Sequence, residues 1–133
     1  MDLPHAFAAV LHDDKILMVQ YQDGSRTYWT LPGGEMVWGE SLEQTARREI
    51  KDVSGLDVIV GQLLFTRDNE YGKSYCFLAT LMGEVTEPTL DLLPEEASTL
   101  GSRVIAVAWQ SLKDKKDDIQ VSKVISILGL THD

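Results

Sequence analysis

Strands, one helix, more strands and a closing helix follow one another along this chain, and that order predicts an α/β (α+β) sandwich with a mixed β-sheet between helices. Three observations carry the prediction. Short apolar and β-branched runs are punctuated by Asp, Asn and Gly, the mark of strands joined by turns. Leu42, Ala46, Ile50 and Val53 recur at helical spacing in the middle of the chain. A second helical pattern closes the sequence between Asp118 and Leu128.

The first apolar run, Ala6 to Leu11, ends at His12-Asp13-Asp14, and Lys15 to Tyr21 follows, so a strand, a tight turn and a strand are expected. Gln22 to Thr27 is polar, contains Gly24 and reads as a loop; Trp29 to Leu31 is a short extended piece stopped by Pro32-Gly33-Gly34. The central helix starts at Ser41. Ser41 with Gln44 three residues on is a capping-box pattern, and Gly55 is the expected stop. Val58 to Thr66 and Ser74 to Met82 read as strands, with Arg67 to Gly72 as the turn between them. Glu84 to Ser102 carries Pro88 and Pro94 and is expected to be irregular. Val104 to Trp109 is the last strand, and the closing helix offers Ile119, Val121, Val124, Ile125 and Leu128 to the core.

At 133 residues the chain is one domain's worth, and no repeat, linker or low-complexity tract divides residues 1–133. No run is long enough to span a bilayer. The opening residues lack the basic start and apolar stretch of a secretory signal, and Cys76 is the only cysteine. No internal disulfide can form, and a cytoplasmic location is expected. Cys76 itself, in an apolar run, reads as a small core residue. A net charge of −9 repels phosphate backbones, which argues against nucleic-acid backbone binding. A small phosphorylated ligand is compatible with that charge if metal ions or local arginines meet it.

The chemistry concentrates between Gly34 and Leu56. On a helix, Glu49 and Asp52 are neighbours on one edge, with Thr45 and Arg48 on the same side, while Arg47 points to water. Glu49 borders the apolar stripe, so its carboxylate is partly desolvated, and like charges gathered there call for a cation. Acids on helices are common, and singly each of these residues is a weak signal. With a glycine pair before the helix, Glu40 at its start and Gly55 at its end, the combination is strong.

The segment resembles the signature of the Nudix (MutT-like) hydrolase family: Gly, five residues, Glu, seven residues, Arg-Glu, an aliphatic residue, any residue, Glu-Glu, any residue, Gly and an aliphatic residue. Gly34, Glu40, Arg48, Glu49, Ile50, Gly55 and Leu56 match in register. The lead-in Trp29 to Gly34, and the strand residues Val107 to Trp109 before a final helix, are also similar to this family. The resemblance implies a Nudix-like α/β/α sandwich and Mg²⁺-dependent (or Mn²⁺-dependent) hydrolysis of a small nucleotide-derived substrate, a nucleoside diphosphate linked to another group. It implies Glu49 and Asp52 as metal ligands, the Gly33 carbonyl reaching the same ion, and Glu40 paired with Arg48 to fix the loop to the helix. No membrane association is expected. Small domains of this architecture can pair through sheets or helices, which leaves a homodimer open.

Two positions depart from the pattern. Asp52 stands where the first paired glutamate belongs, and its carboxylate is one methylene shorter. Val53 stands where the second belongs and cannot ligate. Either another acid completes the site, with Glu35, Glu95 and Glu96 as candidates, or the chain is a catalytically weak or inactive nucleotide-binding module. For Glu95 and Glu96 a solvated loop is the commoner role. A purely structural interaction domain is a third reading, made least attractive by the Arg48-Glu49 pair. Trp29 and Trp109 could stack a base, although buried strand-end aromatics are commoner. Arg26, Arg67 and Arg103 could each meet a phosphate, and nothing marks His5, His12 or His132 as ligands. The substrate itself has no local motif.

Overall fold

The first strand, β1 (His5–His12), is buried from two sides at once. Ala6, Ala8 and Val10 face one core, while Ala9 belongs to a second core against which Phe7 and Leu11 pack. A strand covered on both faces needs a near-continuous apolar sequence, which Ala6 to Leu11 provides. The structure is a computed structural model. It describes residues 3–69, 72–83, 87–88, 98–99 and 102–130, excluding the side chains of Asn69, Ser98, Thr99, Ser102 and Arg103.

The other elements are β2 (Lys15–Asp23), β3 (Arg26–Thr30), β4 (Gly33–Glu35), α1 (Leu42–Ser54), β5 (Val58–Asn69), β6 (Gly72–Leu81), β7 (Ser98–Thr99), β8 (Ser102–Ser111) and α2 (Ile119–Leu128). Among the described residues the sheet runs β5-β6-β1-β2-β8-β7, with β3 on β2 and β4 on β1. The β1–β6 pair is parallel and the others are antiparallel, so the sheet is mixed. On one face α1 sets Ala46 and Ile50 against Ala6, Ala8, Val10 and Leu17. On the other α2 sets Val121 and Val124 against Ala9, Ile16, Met18 and Leu31. The expected mixed sheet between helices is what the chain forms.

One irregularity positions the site. After the tight turn at Asp13, whose φ of 54° is one that Asp tolerates better than most residues, β1 and β2 pair only at Leu11↔Ile16 and His12↔Lys15. The strands then part, and β4 takes the vacated edge with His5↔Glu35, Ala6↔Gly34 and Phe7↔Gly33. The Ala8 amide donates to the Pro32 carbonyl at 3.0 Å, and the Met36 amide to Pro4 at 2.9 Å. The glycine turn is thereby laced to the central strand.

Several sequence expectations need correction. Gln22 to Thr27 is a hairpin, not a loop: Gln22 pairs with Thr27 and Asp23 with Arg26 around Gly24, whose φ is 64°. The glycine pair does not merely stop a strand, since Gly33 begins β4. Arg67↔Ser74, Asp68↔Lys73 and Asn69↔Gly72 carry β5 and β6 well into the expected turn. The last strand runs from Ser102 to Ser111, and Ser98–Thr99 pairs with it inside a segment expected to be irregular. Ile119 is 63% exposed and leaves the core to its neighbours, because it is the first helical residue after the Asp118 cap. Cys76 is buried, and burial pushes its thiol up to about 12, which makes it inert.

Candidate active site

The acid cluster is built on α1 and on the loop that enters it. Ser41 caps the helix in both directions: its Oγ accepts from the Gln44 amide at 3.1 Å, and its own amide donates to Gln44 Oε1 at 2.7 Å. At the other end Gly55, with φ 76°, closes the helix by donating to the Lys51 carbonyl at 2.9 Å. Between these caps Ala46, Ile50 and Val53 are buried, while Arg48, Glu49 and Asp52 follow along the adjoining edge.

Glu40 anchors the entry loop. Its Oε1 accepts from the Val37 amide at 3.0 Å, Thr45 Oγ1 at 2.8 Å and Arg48 Nη2 at 2.8 Å, and its Oε2 accepts from Arg48 Nε at 3.1 Å. The two-point guanidinium contact holds the Glu40 carboxyl down at about 2, with the Val37 and Thr45 donors adding to the effect. Arg48 Nη2 also reaches the Glu35 carbonyl at 3.3 Å, so one guanidinium ties β4, the loop and α1 together.

Glu49 lies against the glycine turn. A Cβ added at Gly34 would stand 2.6 Å from Glu49 Cδ, so the carboxylate fills the space where a side chain would be. Its side chain is only 21% exposed. Burial pushes its pKa up; Arg48, donating from Nη1 to Glu49 Oε1 at 2.9 Å, opposes that rise, and the charges of Asp52 and Glu40 add to it. Asp52 Oδ2 lies 3.8 Å from the same Nη1. Glu49 and Asp52 therefore converge on one point, held together by a single cationic nitrogen. Burial wins over the ion pair at Glu49, which leaves a carboxylate short of positive charge.

Val53 is 4% exposed and packs with Val19, Val104 and Tyr21. Tyr21 was not singled out from the sequence. Burial first, then the charge of Glu49, pushes its phenol up to about 12, so it stands near the acid edge as a neutral donor. Its signal is non-local, set by strand register. Trp29 packs in the α2-side core beneath Lys115, and Trp109 packs in the α1-side core. Glu95, Glu96 and the Arg103 side chain lie outside the described residues, and Glu35 is exposed. A shallow depression lined by Lys116, Asp117, Ser122, Ile125 and Ser126 is on the α2 side of the sheet, away from the acids. No helix among the described residues is long and apolar enough to cross a membrane.

Known proteins share this fold. A NUDIX domain family model matches residues 2–125. The chain is 28% identical over 129 residues to the NAD-capped RNA hydrolase NudC of Vibrio atlanticus, covering 91% of this chain and 48% of that protein. It is 39% identical over 51 residues to the uncharacterized Nudix hydrolase YvcI of Bacillus subtilis, covering 38% of this chain and 31% of that protein. It thus spans about half the length of the first relative, while the second match takes in about a third of that protein. An ADP-ribose pyrophosphatase from Streptococcus suis superposes with a TM-score of 0.71 at 24% identity, covering 99% of this chain and 96% of that one. A NUDIX-family hydrolase from Clostridium perfringens superposes with a TM-score of 0.74 at 15% identity, covering 98% and 99%. The two superpositions speak for the fold, and the domain match across nearly all of the sequence speaks for descent: this chain belongs to the Nudix hydrolase family.

Proposed function

We propose that residues 1–133 form one Nudix domain that cleaves the pyrophosphate linkage of a nucleoside diphosphate derivative, using Mg²⁺ or Mn²⁺ held by Glu49, Asp52 and the Gly33 carbonyl. The observation that carries the proposal is the convergence of the Glu49 and Asp52 carboxylates beside a glycine turn that leaves no room for a side chain. Among the described residues no three His, Cys, Asp or Glu side chains are grouped to hold a metal. The donors present nonetheless suit Mg²⁺, which is usually bound through one or two carboxylates with waters and substrate phosphates completing its octahedron. Glu35, and Glu95 and Glu96 beyond the described residues, are the acids available to add a ligand.

A divalent ion there supplies charge neutralisation on the diphosphate oxygens and a more acidic water. The chain's own residues do the rest. Glu40 and Arg48 hold the loop against α1, keeping Gly34 beside Glu49. Partial burial of Glu49 strengthens its attraction for a cation. Names among the relatives suggest ADP-ribose and NAD-capped RNA as first substrates. The net charge of −9 favours the small molecule over the RNA. The single buried cysteine fits a reducing cytoplasmic setting.

The test is a panel of pyrophosphate compounds incubated with Mg²⁺ or Mn²⁺, with Glu49→Gln alongside. Metal-dependent product release that Glu49→Gln abolishes is the expected result; no turnover of any compound would sink the hydrolase. A second reading rests on Val53, which puts packing where the family has an acid. It is a nucleotide-binding module with little or no turnover, marked by ligand-dependent thermal stabilisation without product.

A further inference from the structure

Tyr21 and Tyr28 are directly opposed on β2 and β3. Their rings stack with centroids 5.8 Å apart and planes within 18°. The inner ring is fixed: Tyr21 packs with Val19, Val104 and Val53, the last being the helical neighbour of Asp52. The outer ring is 40% exposed, so Tyr28 offers aromatic surface to solvent. Arg26 lies over Tyr28 with its guanidinium carbon 5.2 Å from the ring centre. Arg26 also lies 3.7 Å from Asp23 on the hairpin turn. A flat cationic group, its side chain 73% exposed, thus already rests on Tyr28.

Through Val53 the inner ring adjoins the helix that carries Glu49 and Asp52, and the Glu49 charge adds to the rise of the Tyr21 phenol. The stack therefore begins at the acid edge and leads outward along the hairpin. For a ligand whose diphosphate sat at Glu49 and Asp52, this stack would be the aromatic surface joined to the site through Val53. Every nucleobase has a π-face that stacks on an aromatic side chain, and such stacking tolerates different bases.

We propose that Tyr28, backed by Tyr21, is the platform on which the substrate's nucleobase stacks, the base taking the place of the Arg26 guanidinium. The assignment rests on the diphosphate site proposed above and adds the group recognised beside it. It also assigns the β2–β3 hairpin a purpose: its polar overhang beyond the core presents the outer ring.

The test uses two hydrolysis-resistant probes with Mg²⁺, α,β-methylene-ADP and methylenediphosphonate, the second being the same bridge without nucleoside. Binding to the wild-type chain, Tyr28→Phe and Tyr28→Ala is followed by calorimetry, and base protons are followed by NMR. Loss of one base–aromatic stack is expected to weaken α,β-methylene-ADP binding to Tyr28→Ala about tenfold. Methylenediphosphonate binding should be unchanged, which also shows that the variant is folded, and Tyr28→Phe should behave as wild type. The adenine protons should move upfield on binding the wild-type chain and not on binding Tyr28→Ala. Equal affinity of wild type and Tyr28→Ala for α,β-methylene-ADP would overturn the platform while leaving the diphosphate site standing. Equal weakening of both probes would overturn it as well, since the loss would then not be that of a base contact. Failure of the wild-type chain to bind either probe would overturn the diphosphate site and the platform together.

Discussion

Gly33 and Gly34 exclude side chains for different reasons, and the difference can be measured. A Cβ at Gly33 would meet the Ala6 carbonyl oxygen at 2.3 Å and Phe7 Cα at 2.7 Å, and backbone cannot step aside. A Cβ at Gly34 meets only the end of the Glu49 side chain, which can swing away. Gly33→Ala is therefore expected to lose about 1–3 kcal/mol in urea unfolding, as overpacking does. Gly34→Ala should unfold nearly as wild type yet lose about a hundredfold in metal-dependent turnover, because the displaced group is a proposed ligand. Equal stability losses would show that Glu49 is not pressed against the turn. Glu40 makes a pH prediction. Its carboxyl is held down at about 2 from an ordinary value of 4.5, so ionised Glu40 favours the fold. That stability is fully present above the unfolded value and is lost as pH falls toward 2. The urea midpoint gap between wild type and Glu40→Gln should be constant down to about pH 5 and close below it. A gap at pH 3 as wide as at pH 6 would remove the Arg48 contact as its cause.

At the scale of the element, α1 was legible because its signals are local. The capping box at Ser41 and Gln44, the left-handed Gly55 and the buried Ala46, Ile50 and Val53 can all be read from neighbours in sequence. The strands around it were less legible because their extents depend on distant partners. β4 exists because β1 and β2 part after two residue pairs, and nothing in Pro32-Gly33-Gly34 announces that vacancy. The polar ends of β2 and β3 look like a loop because they extend beyond the core, so the Tyr21–Tyr28 register stays hidden until the hairpin is seen. Val53 joins the local and distant contributions: it lies one turn after Glu49 and is sealed by strand residues. Val53→Glu places a carboxylate in that apolar contact. It should lower the melting temperature in chelator and regain much of the loss in Mg²⁺, with faster turnover if the native donor set is incomplete. A variant equally unstable with and without Mg²⁺ would separate position 53 from the metal site.

Over the whole molecule, the mixed sheet does two things for the site. Its buried central strand gives α1 a rigid bed, and its split edge admits the glycine turn that meets Glu49. The net charge of −9 repels a diphosphate and leaves its recognition to local cations, above all to one divalent ion near α1. Bound Mn²⁺, counted by electron paramagnetic resonance in the presence of α,β-methylene-ADP, tests that directly in the wild type, Glu49→Gln and Asp52→Asn. The wild type is expected to hold at least one ligand-dependent Mn²⁺, lost or weakened more than about tenfold in each variant. Wild-type occupancy unchanged by both substitutions would contradict it.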